Sequence, residues 1–275
     1  MNRIFTLILI LSFVSCNNEE ASDTLEKIQY NQTLTVGYIP YYDVTFKDIK
    51  NNQLEGFLVE LLKAVARKMN IPWEKIKFIE TDWQGFGLGV NNNKFDFSIA
   101  GTFKTKQREN IVRFTRPIFY LGNGAVVKAE DNRFNDINDF DKKGITIAVI
   151  QGEQGYEFAK KNFQNAKLIE LSGSDLSLAP LQVKNGMADA AFSDQYILKR
   201  YVTKNPDLKD ALEFSPYYVL PVCWAVSKDK EDSRLLKKLN EIILELENDG
   251  FIDSLKNVYS QRIPFADNYI NEKYE

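Results

Sequence analysis

The sequence contains no histidine and only two cysteines in 275 residues. Without histidine there is no Ser-His-Asp triad, no Cys-His pair, no His-ligated zinc and no imidazole that changes charge near neutral pH. Two cysteines fall short of the about three or four thiolates that a zinc-cysteine or iron–sulfur cage requires. Catalysis, if any, would rest on carboxylates, Lys, Tyr, Ser or a borrowed cofactor, and no motif calls for a cofactor or a resident metal. Positive charge is not in surplus either. The 35 Lys and Arg against 38 Asp and Glu give a net charge of −3, which speaks against nucleic acid as a partner.

What is present is the make-up of a soluble globular chain, 44% hydrophobic and 27% charged. Its 19 Phe, 13 Tyr and 3 Trp supply a core and leave some Tyr for a wet binding surface. The longest leader-like feature is at the start. Arg3 precedes an apolar run from Ile4 to Val14 broken by Thr6 and Ser12. Such a run is too short to span a bilayer, which takes about 20 residues, and reads as a secretory signal. Ser15 followed by Cys16 resembles a lipoprotein cleavage site, with Phe13 where that motif usually has Leu. The alternative is a plain secretory signal with an incidental cysteine. On the lipoprotein reading, Cys16 carries a lipid and residues 16–31 form a flexible tether. Cys223 is then the one remaining thiol, in the apolar run Val219 to Val226, where a buried structural role is expected.

Beyond the leader, short β-like runs alternate with amphipathic helices. Strands are expected at Leu34–Ile39, Ile76–Glu80, Phe95–Ala100, Ile145–Ile150, Lys167–Leu171 and Ala188–Phe192. Helices are expected at Phe57–Met69, Trp83–Asn91, Tyr156–Asn162, Asp175–Asn185, Gln195–Tyr201 and Glu231–Asn248, the last capped by Asp232 or Ser233 and ended by Gly250. Strand–helix alternation defines an α/β fold with mainly parallel sheets. It occurs in two stretches, so two α/β lobes are expected. Leu121-Gly-Asn-Gly124 and Ser215 to Val222 are the candidate crossings between them.

Several features have both a bland and a functional reading. Gly85-Phe-Gly87-Leu-Gly89 lacks the preceding strand and the following Lys-Ser/Thr of a nucleotide loop. The basic run from Lys104 to Arg116 reads first as a solvated face, although one Arg within it can hold a carboxylate bidentately. Asp194 follows an apolar strand, at the end where open α/β sheets bind ligands; it is equally placed to cap the next helix. The glycine-rich stretch 151–155 also ends a strand and begins a helix, a generic anion site. Tyr38, Tyr41, Tyr42 and Trp83 lie beside strand ends, where each can serve as packing or as ligand wall.

Taken in order, the pieces LTVGYIPYY, LEGFLVELLKAVARKM, TDWQGF, KFDFSIAGTFKTKQRENIVRFTRPIFY, DKKGITIAVIQGEQGYEFAKK, NGMADAAFSD and LNEIILELENDGFIDSLKNVY resemble the polar-amino-acid family of bacterial extracellular solute-binding proteins. The most specific segment is Gly101, Thr105, Arg108, Phe114 and Pro117. The resemblance covers about residues 33–260 and implies the two-lobed type II periplasmic-binding fold. It implies a signal peptide at 1–15, a tether at 16–31, lobe one at 32–122 plus 220–275, and lobe two at 123–219.

Residue by residue, the resemblance assigns Arg108 to a ligand α-carboxylate and Asp194 to its α-ammonium. It places the Gly152-Glu153-Gln154 turn at the carboxylate and Tyr42 and Trp83 on the aromatic wall, with Gly101 and Phe103 alongside. The chain departs from the pattern at Phe103, Leu58, Glu153 and Arg116. Phe103 hints at a less polar ligand side chain, and Glu153, if it faces the pocket, at a cationic one. The implied protein is no enzyme. It is a monomeric, exported, lipid-anchored binding subunit of an ABC importer, with an amino acid as ligand, permease subunits as partners and membrane contact through the lipid alone. Two alternatives remain open: a cyclohexadienyl dehydratase-like enzyme using Glu153 or Asp194 as acid, and a ligand-sensing module. Arg with an ion-paired Asp implies an affinity that varies little between about pH 6 and 8.

Overall fold

The computed structural model describes residues 23–213, 215–228 and 234–266. The signal segment, Cys16 and the caps expected at Asp232 or Ser233 lie outside these residues. The first part of the chain forms α1 (Thr24–Asn31), β1 (Leu34–Tyr38), β2 (Phe46–Lys47), β3 (Leu54–Glu55), α2 (Phe57–Lys68), β4 (Ile76–Glu80), α3 (Phe86–Asn91), β5 (Phe97–Phe103), α4 (Lys106–Glu109), β6 (Val112–Phe114) and β7 (Phe119–Lys128). There follow β8 (Thr146–Ile150), α5 (Gln154–Asn162), β9 (Lys167–Leu171), α6 (Leu178–Lys184), β10 (Ala190–Asp194), α7 (Gln195–Lys204), β11 (Leu208–Asp210), β12 (Tyr218–Ser227), α8 (Arg234–Asn248) and α9 (Phe251–Tyr259).

Two parallel groups carry the architecture. β1 lies between β4 and β5, and β8 lies between β9 and β10, all parallel. The long strands β7 and β12 join the groups, giving the order β4-β1-β5-β12-β7-β10-β8-β9. They run antiparallel to each other, from Phe119 opposite Val222 to Asn123 opposite Tyr218. The two crossings expected from glycine and proline are thus paired strands. The glycines serve close approach: a Cβ on Gly122 would meet Gln195 Oε1 at 2.2 Å, and one on Gly124 would meet the Asp210 carboxylate at 2.8 Å.

Patterning explains the layers. In α2, Phe57, Leu58, Leu61, Leu62 and Val65 are buried while Arg67 is outward. In α8, Leu235, Leu239, Ile242, Ile243 and Leu246 form one apolar stripe. The near-continuous apolar run of β8 is buried between two parallel neighbours, as its composition demands. Trp224 of β12 is fully buried and stacks on Phe97 at 5.4 Å.

One expectation needs correction. The flexible tether assigned to residues 16–31 is helical from Thr24. Helix α1 buries Ile28, and Asp23 and Glu26 both pair with Arg234 on α8. An apolar side chain with a place to pack converts the end of the supposed tether into part of the domain.

Candidate functional site

The strands β1, β5, β8 and β10 all point their C-terminal ends at one cleft, the end at which open α/β sheets bind ligands. From the β5 side come Gly101, Phe103 and Arg108. Thr105 caps α4, its Oγ1 accepting from Arg108 N at 3.2 Å, which fixes Arg108 on the first turn. Arg108 is 3% exposed. Its Nε donates to Glu157 Oε1 at 2.7 Å, Nη1 to the Phe103 carbonyl at 3.1 Å and Nη2 to the Gly152 carbonyl at 2.8 Å. A guanidinium has five N–H groups, so two remain for a further acceptor. The bland reading of the basic run fails at this residue and holds for its neighbours: Lys104 pairs with Glu109, and Arg116 with Glu247 on α8.

From the opposite side come residues 151–155 and Asp194. Gly152 has φ +80°, and a Cβ there would lie 2.7 Å from the Trp83 carbonyl. Trp83 Nε1 donates to the Ser174 carbonyl at 3.2 Å, and Gln84 Nε2 to Gln151 Oε1 at 2.9 Å. The two sides therefore touch, and the cleft is closed. A second latch gathers on Asp43, which accepts from Tyr196 at 2.6 Å, Arg200 at 3.4 Å and Arg262 at 3.1 Å.

Asp194 takes the capping position and is at the same time buried. Its Oδ1 accepts from Ile197 N at 2.9 Å, capping α7. The same carboxylate is buried in the cleft, near the Tyr41 hydroxyl. Burial raises its pKa to about 6, against the lowering effect of the backbone N–H groups and of the Tyr41 hydroxyl. Glu153 caps α5 through Gly155 N at 2.7 Å and is also buried. Burial first, and the Asp194 charge second, push its carboxyl up to about 8. Glu153 therefore lies within electrostatic range of Asp194. Gln154 is buried, its Oε1 accepting from the Tyr217 hydroxyl at 2.9 Å.

The aromatic wall differs from expectation. Tyr42 is 38% exposed and lies under the Arg200 guanidinium, 4.2 Å from ring centroid to Cζ. Tyr41 occupies the cleft instead, edge-on to Trp83 at 5.9 Å and to Tyr196 at 5.8 Å. Burial and the Asp194 charge hold its hydroxyl well above the ordinary tyrosine range. Adjacent residues in a loop have no strand parity to separate them, so sequence cannot choose between these two. The structure thus brings together Arg108, Asp194, Gly101, Phe103, Gly152, Glu153, Gln154 and Trp83, and leaves Tyr42 outside. Glu157 and Tyr217 were not singled out in the sequence. Glu157 is legible in hindsight, one helical turn beyond Glu153.

A cleft closed between two α/β halves, with a buried guanidinium on one side and buried carboxylates on the other, defines a class of proteins that trap small charged solutes. The profile of the bacterial extracellular solute-binding proteins, family 3, matches residues 34–262, and the chain belongs to that family. A probable histidine-binding protein of Campylobacter jejuni is 28% identical, covering 94% of this chain and 99% of its own. A variant of the arginine-binding protein ArgBP from T. maritima superposes with a TM-score of 0.75 at 27% identity, over 87% of this chain and all of the other. The ancestral amino acid-binding protein AncCDT-1, a precursor of cyclohexadienyl dehydratase, gives 0.73 at 27% identity, over 87% and 99% of the two chains. Among the described residues no helix is long and apolar enough to cross a membrane.

Proposed function

We propose that this protein captures an amino acid between its two halves and presents it to an ABC importer, and that it is not a catalyst. The observation carrying this reading is the placement of Arg108 and Asp194 on opposite walls of one closed cleft, both buried. A zwitterion needs one fixed cation and one fixed anion, each a charge-assisted partner. The two N–H groups left on Arg108 suit the α-carboxylate, and Asp194 the α-ammonium. Gly101, Phe103, Gly152, Glu153, Gln154, Tyr41 and Trp83 line the same space. Relatives include a probable amino-acid-binding protein and an arginine-binding protein of ABC transporters, which favours capture over dehydration chemistry on the same scaffold.

The same reading divides the chain into lobe one, residues 32–122 plus 220–275, and lobe two, 123–219, hinged at β7 and β12. It includes a signal peptide at 1–15, a lipid on Cys16, a periplasmic or cell-surface location and a monomeric state. Calorimetry of the exported chain against the twenty amino acids tests the central point. Binding of one or a few, abolished in Arg108→Ala, is the expected result. Silence with all twenty, or undiminished binding in the variant, overturns the reading.

A further inference from the structure

The charges around the cleft do not balance. Arg108 is engaged by Glu157 at 2.7 Å. Glu153 and Asp194 are both buried, and among the described residues neither forms an ion pair with a Lys or Arg. Glu153 accepts from Gly155 N, and Asp194 from Ile197 N. One guanidinium thus faces three carboxylates. A neutral zwitterion brings one cation and one anion and leaves that excess untouched. A buried carboxylate without a cationic partner is strongly unfavourable.

A third group belongs to the same wall. Asn123 of β7 is fully buried, and among the described residues neither its Nδ2 nor its Oδ1 has a hydrogen-bond partner. An orphaned buried amide is rare and costs on the order of 1–3 kcal/mol per group. Asn123 lies directly opposite Asp194 in the antiparallel β7–β10 ladder, and directly opposed residues project from the same face of a sheet. Strand β10 runs between β7 and β8. Asn123 on β7, and Glu153 in the turn that follows β8 and caps α5, therefore flank Asp194 at the end of β10.

We infer that Glu153 and Asn123, on either side of Asp194, form a second polar subsite for a cationic side chain, so that the ligand is an amino acid of net positive charge. The inference rests on the amino-acid reading above and narrows it. Glu153 supplies the counter-charge. The Asn123 Oδ1 accepts an N–H from the ligand, directly or through a water.

Calorimetry with matched pairs tests it: lysine against norleucine, and arginine against citrulline. The cationic member of at least one pair should bind 100-fold or more tightly than its neutral partner. Glu153→Gln and Asn123→Leu should each reduce that ratio at least tenfold, with circular dichroism showing the native fold; Asn123→Ser serves if the leucine variant does not fold. Equal binding within both pairs, or a ratio unmoved by Glu153→Gln, overturns the inference. Tight binding of a neutral amino acid that is lost in Arg108→Ala overturns it while the amino-acid reading stands. No binding by any amino acid removes both.

Discussion

Arg108 and Glu157 form a buried ion pair across the cleft, Nε to Oε1 at 2.7 Å, with exposures of 3% and 12%. Arg108 stands on α4, after β5, and Glu157 on α5, after β8. The pair, with the bond from Arg108 to the Gly152 carbonyl, ties the two sides together. Removing one partner of such a pair costs about 3–5 kcal/mol. Arg108→Ala is expected to weaken ligand binding more than 100-fold by calorimetry. Glu157→Gln keeps an acceptor for Nε and loses only the charge, so a roughly tenfold loss is expected, from a net difference of about 1.4 kcal/mol.

Closure depends on a missing methyl group. A Cβ on Gly152 would lie 2.7 Å from the Trp83 carbonyl and 2.8 Å from Gln84 N, with both obstacles in the backbone. The φ of +80° adds a penalty of about 1–2 kcal/mol for any L side chain. Gly152→Ala is expected to keep the strands and helices, to bind ligand at least tenfold more weakly, and to show a larger radius of gyration in ligand by solution scattering. Unchanged affinity would mean that the sides need not approach this closely.

Acidity should tune both stability and binding. Burial raises Glu153 from 4.5 to about 8 and Asp194 from 3.8 to about 6. The groups facing Glu153 are Asp194 at the end of β10, Arg108 on α4, Glu157 on α5, and the hydroxyls of Tyr41 and Tyr217. A carboxyl whose pKa is raised on folding binds its proton more tightly when folded. Its contribution to stability is complete below about pH 4 and is lost as pH rises through about 6 for Asp194 and about 8 for Glu153. The melting temperature of the ligand-free protein should therefore fall from pH 5 to pH 8, and Glu153→Gln should flatten the profile. A cationic ligand favours the ionised carboxylate, so binding should release a proton and strengthen up to about pH 8. Calorimetry in buffers of different ionisation enthalpy reads that proton directly. The flat profile expected from the sequence assumed a single ion-paired Asp; a second buried carboxylate should instead make affinity rise with pH across that window.

The thiol of Cys223 should be inert. Cys223 is fully buried within β12, and burial pushes its pKa up to about 12. The thiolate is the reactive form. In the native protein this thiol should resist a chromogenic disulfide reagent at pH 8 for hours, and it should react at once in denaturant. Fast native labelling would indicate that β12 opens between the two halves.

Much of this molecule is legible in local chemistry. The apolar run of β8, the stripes of α2 and α8 and the strand–helix alternation follow from patterns that each segment carries by itself. So does the pairing of roles at Asp194, since a strand end and a helix start share one residue. Arg108 emerged through a motif, because composition alone made it one cation among several. Other features depend on which distant segments meet. Nothing in the sequence seats Tyr41 in the cleft and leaves Tyr42 under Arg200; the direction of a loop decides that. Glu153 lies in a glycine-rich strand-to-helix turn by sequence and becomes a strongly shifted acid because folding buries it, with the Asp194 charge adding to the shift. Asn123 lies between two glycines in a stretch expected only as a crossing, and becomes a buried amide once β7 pairs with both β10 and β12. Sequence by itself determined most of the elements and singled out Arg108 among the cations, because these depend on neighbours and motifs along the chain. Tertiary structure alone decided the charge imbalance of the cleft, because Coulomb energy and desolvation depend on distance and burial, and those exist only after the two halves have closed.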